Sequence, residues 1–248
     1  DKLNFSKKEP MNFNKENFLD FASIDWKKNY SDKKINFIKT LLPIIIHENH
    51  KILSDRKRLI EIKKYIEINK TLSNADLSYL NKISEKYLLK KDNKHKIDLI
   101  NELLINVNTI PNSIVLAQAA NESGWGSSRF AKEHNALFGQ YTYNENDGVI
   151  PYKREKGKKH LIKNFESIDK SVESYFININ THYAYKKFRE SRNQVYLKDI
   201  ITTESVKHLT KYLDVYAIDE FYVDTINSII ETNNLTNFDS INLSFTNS

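Results

Sequence analysis

Apolar residues recur at helical spacing over most of this chain. After Ser31-Asp32, a capping pair, Ile35, Ile38, Leu41 and Leu42, then Ile45, Ile46 and Asn49, fall on one helical face. Pro43 predicts a kink or break, and the pattern resumes from Ile52 to Ile68. Two antiparallel helices and one long kinked helix both fit. Ser73-Asn74-Ala75-Asp76 starts another helix, with Leu77, Leu80, Ile83, Tyr87 and Leu88 on one side. Further helices are expected over about 97–107, 111–121, 127–134, 169–181, 184–193, 197–212 and 219–232, with Pro111 suited to a first helical turn. Between 141 and 166 the period changes. Tyr141, Tyr143, Val149, Tyr152, Leu161, Ile162 and Phe165 alternate with the turn signals Asn146-Asp147-Gly148 and Lys156-Gly157-Lys158, which predicts a hairpin-rich segment. The expected fold is mainly α (α+β), a helical lobe facing a small β-hairpin lobe across a cleft, behind an N-terminal helical domain. The expected division is a leader at 1–30, partly disordered, a helical domain at 31–96, a main domain at 97–232 and a frayed polar tail at 233–248.

At 248 residues the chain can bury a sizeable core. Its net charge of +6 suits an anionic polymer, but the lysines are spread along helices and no nucleic-acid-binding signature accompanies them, so no nucleic-acid partner is expected. The absence of cysteine excludes disulfides, thiolate metal sites and thiol nucleophiles. No apolar run approaches the roughly 18 residues of a membrane span. The first residue is Asp1 rather than Met, so removal of an upstream signal or anchor is the expectation. The sequence does not specify an oligomeric state.

All five glycines, Gly124, Gly126, Gly139, Gly148 and Gly157, lie in one short window. Irregular backbone is thus concentrated in one place, where binding and catalysis tend to collect. Glu122 stands at the head of that window, at the end of a helix whose inner side is apolar. The negative end of the helix and an apolar setting both disfavour a charged carboxylate, which suits a general acid. A solvated Glu, or one paired with Arg129, is the plainer alternative. Glycosidic cleavage by the usual routes needs a second carboxylate, and Glu145, Asp147 and Glu155 lie in the hairpin region; Glu155, beside the Gly157 turn, either faces Glu122 across the cleft or is a surface residue of a Lys-rich hairpin. Asp147 before Gly148 reads as turn chemistry. Trp125 is either a sugar-stacking platform or an anchor that fixes the loop. Tyr141, Tyr143, Tyr183, Tyr185 and Tyr216 sit where loops reach a cleft. His47-Glu48-Asn49-His50 has its histidines three apart rather than four, so no metal site and no cofactor are expected. Ser123 lacks the surroundings of a serine nucleophile.

Several ordered motifs carry a family resemblance. Leu116-Ala117-Gln118-Ala119-Ala120-Asn121-Glu122-Ser123-Gly124-Trp125-Gly126-Ser127-Ser128-Arg129-Phe130-Ala131 resembles the core motif of the bacterial glucosaminidases of glycoside hydrolase family 73. Asn135-Ala136-Leu137-Phe138-Gly139-Gln140 resembles that family's second motif, and Phe165-Glu166-Ser167 with Ser171, Val172 and Tyr175 resembles the helix after its β hairpin. The stretch from Asn178 to Tyr185 is similar to the Bax-type branch, and Leu213, Tyr216, Ala217, Asp219, Tyr222 and Val223 resemble the closing tyrosine motif without its usual Thr and Pro. The resemblance implies a lysozyme-like fold, a periplasmic or cell-envelope location, and hydrolysis of the β-1,4 bond between N-acetylglucosamine and N-acetylmuramic acid in peptidoglycan glycan strands. It implies Glu122 as the acid, with either Glu155 or the substrate's own acetamido group stabilising the sugar cation. Tyr216 then positions the acetamide or water, and Trp125, Phe138, Gly139, Gln140, Tyr141 and Tyr183 line the groove. A muramidase or lytic transglycosylase, and a non-catalytic wall-binding module, are the alternatives.

Overall fold

The computed structural model describes residues 31–68, 70–89, 95–144, 146–150, 161–196 and 201–240. The leader at 1–30, Glu145 and Glu155 lie outside these described residues. Helices dominate, and one small antiparallel sheet interrupts them.

Helix α1 (Asp32–Glu67) is a single continuous rod with Pro43 inside it. At about 1.5 Å per residue it is on the order of 50 Å long. Pro43 removes one backbone donor, but the buried Leu41, Leu42, Ile45 and Ile46 beside it hold the rod in place. Helix α2 (Asn74–Lys86) starts at a reciprocal capping box between Ser73 and Asp76. Helices α3 (Lys96–Asn106), α4 (Asn112–Ser123) and α5 (Arg129–His134) follow. The sheet comprises β1 (Tyr141–Thr142), β2 (Gly148–Val149) and β3 (Leu161–Lys163). Then come α6 (Ile168–Thr181), a 3₁₀ turn at Tyr183–Tyr185, α7 (Lys186–Tyr196), α8 (Thr203–Thr210), a second 3₁₀ turn at Lys211–Tyr216, α9 (Tyr222–Thr232) and a third 3₁₀ turn at Leu235–Phe238.

Helix α4 is the axis of the molecule. From Asn112 to Ala120 every side chain is buried, because α1, α9 and the last 3₁₀ turn pack around it. Ile35 to Ile62 of α1 belong to the same hydrophobic cluster as Ile114, Phe176 and Ile226. The segment expected to form an N-terminal domain therefore shares its core with the rest.

Three local expectations are corrected. β1 does not pair with β2 through the Asn146-Asp147-Gly148 turn. Both flank β3, with Tyr141 opposite Ile162 and Gly148 opposite Lys163. The helix expected over 197–212 is the shorter α8, which tightens into a 3₁₀ turn. The tail from 233 is not frayed through residue 240, since Leu235 and Phe238 are fully buried against α4. Their isolation among polar residues hid that role from any periodic reading.

Two polar devices tie distant segments together. Asp239 accepts hydrogen bonds from the Ser113 backbone N–H (2.8 Å) and hydroxyl (2.7 Å), at the start of α4. Helix α4 has no side-chain cap of its own, so the orphan donors of its first turn are met from over a hundred residues away. Asn49 of α1 bonds both the N–H and the C=O of Ile110 just before that turn. At the other ends of helices, Arg192 is fully buried and donates to Asn180 Oδ1 and to the Ile105 carbonyl. Arg56 donates to the carbonyls of Leu104 and Val107, and Arg189 to those of Ile179 and His182. The last turns of α3 and α6 have no basic residue, so Arg192 and Arg56 supply the positive charge favoured at the C-terminus of α3, and Arg189 that at the C-terminus of α6.

Candidate active site

Glu122 is the penultimate residue of α4. The helix stops there because Gly124 adopts a left-handed conformation (φ 58°, ψ 47°), which a residue without Cβ takes at little cost. Trp125 N–H then bonds the Ala120 carbonyl and Gly124 N–H that of Asn121, the paired closure of a Schellman turn. The Ser123 hydroxyl bonds back to Ala119 and accepts from Gly126 N–H, winding the following loop tightly. This fixes the Glu122 backbone in a rigid corner.

The carboxyl of Glu122 is half-buried. Asn121 Nδ2 donates to Oε1 at 3.2 Å, and the Tyr222 hydroxyl also bonds it. Burial raises its pKa above the usual carboxylate range, and the hydrogen bonds from Asn121 and Tyr222 oppose that rise without cancelling it. The backbone of Gly139 closes the other side. A Cβ there would lie 2.8 Å from Glu122 Oε2, and the residue sits at φ +60°. Glycine alone allows the chain to approach the carboxyl this closely.

Behind Glu122 lies a wall of phenols. Tyr175 donates its hydroxyl proton to Gln118 Oε1, and Gln118 Nε2 donates to the Tyr222 hydroxyl at 2.8 Å. Tyr222 receives that bond and so keeps its own proton for Glu122. The Tyr216 ring stacks on Tyr222 at 5.5 Å, and its hydroxyl donates to the Phe138 carbonyl at 2.6 Å. That bond holds the Phe138-Gly139 backbone over Glu122. Tyr185 completes the wall, 6.2 Å from Tyr216, with its hydroxyl pushed up to about 12 by burial.

The residues expected to contact a ligand separate into two groups. Gly139, Gln140 and Tyr216 gather around Glu122. Gln140 passes its backbone carbonyl to Lys163 of β3, while its buried amide oxygen has no partner among the described residues. Tyr141 and Tyr183 are exposed. Phe138 instead has its side chain buried and stacked on Tyr175 at 4.2 Å, offering only its carbonyl. Trp125 turns away, edge-on to Phe37 of α1 at 5.4 Å with Lys34 over its face, which is the packing of an anchor. Asp147 accepts from Asn144 Nδ2 within its turn. Sequence reasoning missed Tyr222 and Gln118 as partners of the acid. Gln118 lies one turn before Glu122 on the same helix face, a spacing that could have pointed to it.

An acid at the end of a buried helix, closed over by a glycine and backed by tyrosines, fits a recognised family. Residues 98–235 match the glucosaminidase family, described as mannosyl-glycoprotein endo-beta-N-acetylglucosaminidase, and the chain belongs to that family. Two curated relatives extend the likeness. The protein bax of Escherichia coli is 36% identical over 181 residues, covering 72% of this chain and 62% of its own. The exo-glucosaminidase LytG of Bacillus subtilis is 30% identical over 139 residues, covering 52% of this chain and 46% of its own. The chain therefore spans less than two thirds of the length of either relative. Among solved structures, the catalytic domain of the autolysin Auto from Listeria monocytogenes aligns with a TM-score of 0.41 at 22% identity, over 68% of this chain and 90% of that one.

Proposed function

We propose that the protein hydrolyses peptidoglycan at the β-1,4 bond between N-acetylglucosamine and N-acetylmuramic acid, outside the cytoplasm in the cell envelope. The observation that carries this reading is the buried Glu122 carboxyl, raised by burial and aimed by the Tyr222–Gln118–Tyr175 chain. A carboxyl whose pKa burial raises holds its proton more readily and can hand it to a glycosidic oxygen as the bond breaks. Membership of the glucosaminidase family and the likeness to an exo-glucosaminidase support the substrate class.

In this mechanism Glu122 protonates the leaving oxygen. The sugar cation is met from the opposite face by Glu155 or by the substrate's own acetamido oxygen. Tyr216 acts through the backbone, holding Gly139 against the acid, and Gln140 continues that wall from the next position. Tyr141 and Tyr183 present exposed rings to the substrate.

The test is digestion of purified peptidoglycan with mass spectrometry of the new chain ends. New N-acetylglucosamine reducing ends that disappear in Glu122→Gln support the assignment. New muramic acid or anhydro ends keep Glu122 as the acid but make the protein a muramidase or lytic transglycosylase. Tight wall binding with no products from the wild type makes it a binding module.

A further inference from the structure

The two 3₁₀ turns at Tyr183–Tyr185 and Lys211–Tyr216 pack against each other and have two differently made faces. Their last residues, Tyr185 and Tyr216, stand in the wall behind Glu122. Their other residues wall a separate cavity of about 530 Å³, to which Tyr183, Lys211, Tyr212 and Asp214 contribute together with Lys186 and Lys187 at the start of α7. Three ammonium groups thus face one carboxylate. Asp214 is already engaged, since its Oδ1 accepts from Val215 N–H at 3.0 Å. Lys186 reaches Glu190 only at 3.8 Å. Lys187 and Lys211 are exposed and have no hydrogen-bond acceptor among the described residues. The Tyr183 ring, 83% exposed, lines the cavity with its neighbour His182 tilted against it at 4.5 Å.

We propose that this cavity is a subsite for the free carboxylates of the peptide stems that peptidoglycan carries on its muramic acid residues. The inference rests on the hydrolase reading above. A glycan strand lying beside Glu122 places its stems on the flanks, and the same two 3₁₀ turns border both the wall behind Glu122 and the cavity. An extended peptide spans roughly 3.3–3.6 Å per residue, so a stem of a few residues can run from a bound sugar along those turns toward the cavity. The stem backbone lies against Tyr183 and Tyr212, and its terminal carboxylate meets Lys187 and Lys211. Lysine is a compact, well-hydrated charge on a flexible stalk. It therefore suits carboxylates whose position shifts with stem length and crosslinking, where a rigid guanidinium fork would not.

The decisive experiment compares kcat and KM on two soluble substrates, glycan strands with intact stems and the same strands stripped of stems by an amidase. For the Lys187→Ala/Lys211→Ala double variant, KM on stem-bearing strands is expected to rise at least tenfold with kcat held. Cleavage of stripped strands stays within twofold of wild type, and the Lys187→Arg/Lys211→Arg pair restores most of the loss. Equal losses on both substrates, or no loss on either, overturn the subsite. So does a loss that follows phosphate-bearing wall polymer rather than stems, which would assign the cavity to a phosphodiester anion. If the wild type cleaves neither substrate, the hydrolase reading fails on its own. The subsite is then decided by calorimetric titration with a disaccharide tetrapeptide against the bare disaccharide, where equal affinity rejects it.

Discussion

Replacing Gly139 by alanine tests the geometry of the acid most directly. The new methyl meets Glu122 Oε2 at 2.8 Å, whereas ordinary contact begins near 3.4 Å. The carboxyl must therefore retreat by several tenths of an ångström. Its bond from Asn121 is already long at 3.2 Å, so the retreat disrupts the partners that aim it. Misplacing a reacting group by about 1 Å costs on the order of 100-fold in rate, which sets the expected fall in kcat at roughly 10- to 100-fold. The φ of +60° adds backbone strain of roughly 1–2 kcal/mol for a residue with a Cβ. In a chain of this size that lowers Tm by about 3–6 °C. Gly124→Ala is the control. It carries the same strain at φ +58°, but its Cβ meets only Ser127 Oγ, at 3.2 Å. It should lose comparable stability and much less kcat. Initial rates on soluble glycan strands, paired with thermal melts, give both numbers. If Gly139→Ala keeps kcat within threefold of wild type, or if the two variants lose kcat equally, Gly139 does not set the position of the acid.

Glu122→Gln should abolish turnover yet melt higher than wild type at neutral pH. A carboxyl whose folded pKa is raised by burial destabilises the fold once it ionises. The gap should close as pH falls below the ordinary Glu range, and melts at pH 4 and pH 8 would show the opposite trend if burial were not the cause. Asp239, pushed up to about 6 by burial against an ordinary 3.8, behaves alike. Its contribution is fully present below about pH 4 and is lost as pH rises through 6. The stability of Asp239→Asn relative to wild type should therefore climb by roughly 2–3 kcal/mol over that window in urea titrations; a flat difference would contradict this. Arg192→Leu strips donors from the Ile105 carbonyl and Asn180 and should cost about 3 kcal/mol, and a urea-derived loss under 1 kcal/mol would show that these bonds are dispensable. Trp125→Ala should lower stability by about 2–3 kcal/mol while KM stays within twofold. A tenfold rise in KM at unchanged Tm would instead make Trp125 a sugar platform.

Much of this molecule was legible before any coordinates. Helical periodicity placed α2, α3, α6 and α9 to within a few residues, because each buries one stripe dominated by Leu, Ile, Val or Tyr, while α4, buried all round, was bounded by Pro111 and the glycines after Glu122. The crowding of glycines after Glu122 marked the corner where Gly124 ends the helix and Gly139 closes on the acid. What stayed hidden depends on meetings between distant segments. Tyr222 lies a hundred positions from Glu122, and only the packing of α9 on α4 brings them together. Trp125 is ambiguous in sequence since both roles want a large ring, and only the fold brings it edge-on to Phe37, a contact that supports the anchor. The sheet order eluded the turn signals because Asn146-Asp147-Gly148 is a valid turn whichever strand β2 then joins. Gly148 fits there because a side chain would collide with Leu161 and Thr142.

The short 3₁₀ turn at Leu235–Phe238 reaches beyond its own length. The Phe238 carbonyl accepts from Asn112 Nδ2, Asp239 accepts from Ser113, and Asn112 Oδ1 in turn accepts from Asn49. A chain cut back to Thr232, where regular helix ends, would keep every group around Glu122 and still lose what seats the far end of the helix that bears it. Such a shortened product would be a folding failure with an intact chemical centre. Proteolytic trimming of a few residues from this region would therefore silence the protein without touching its cleft.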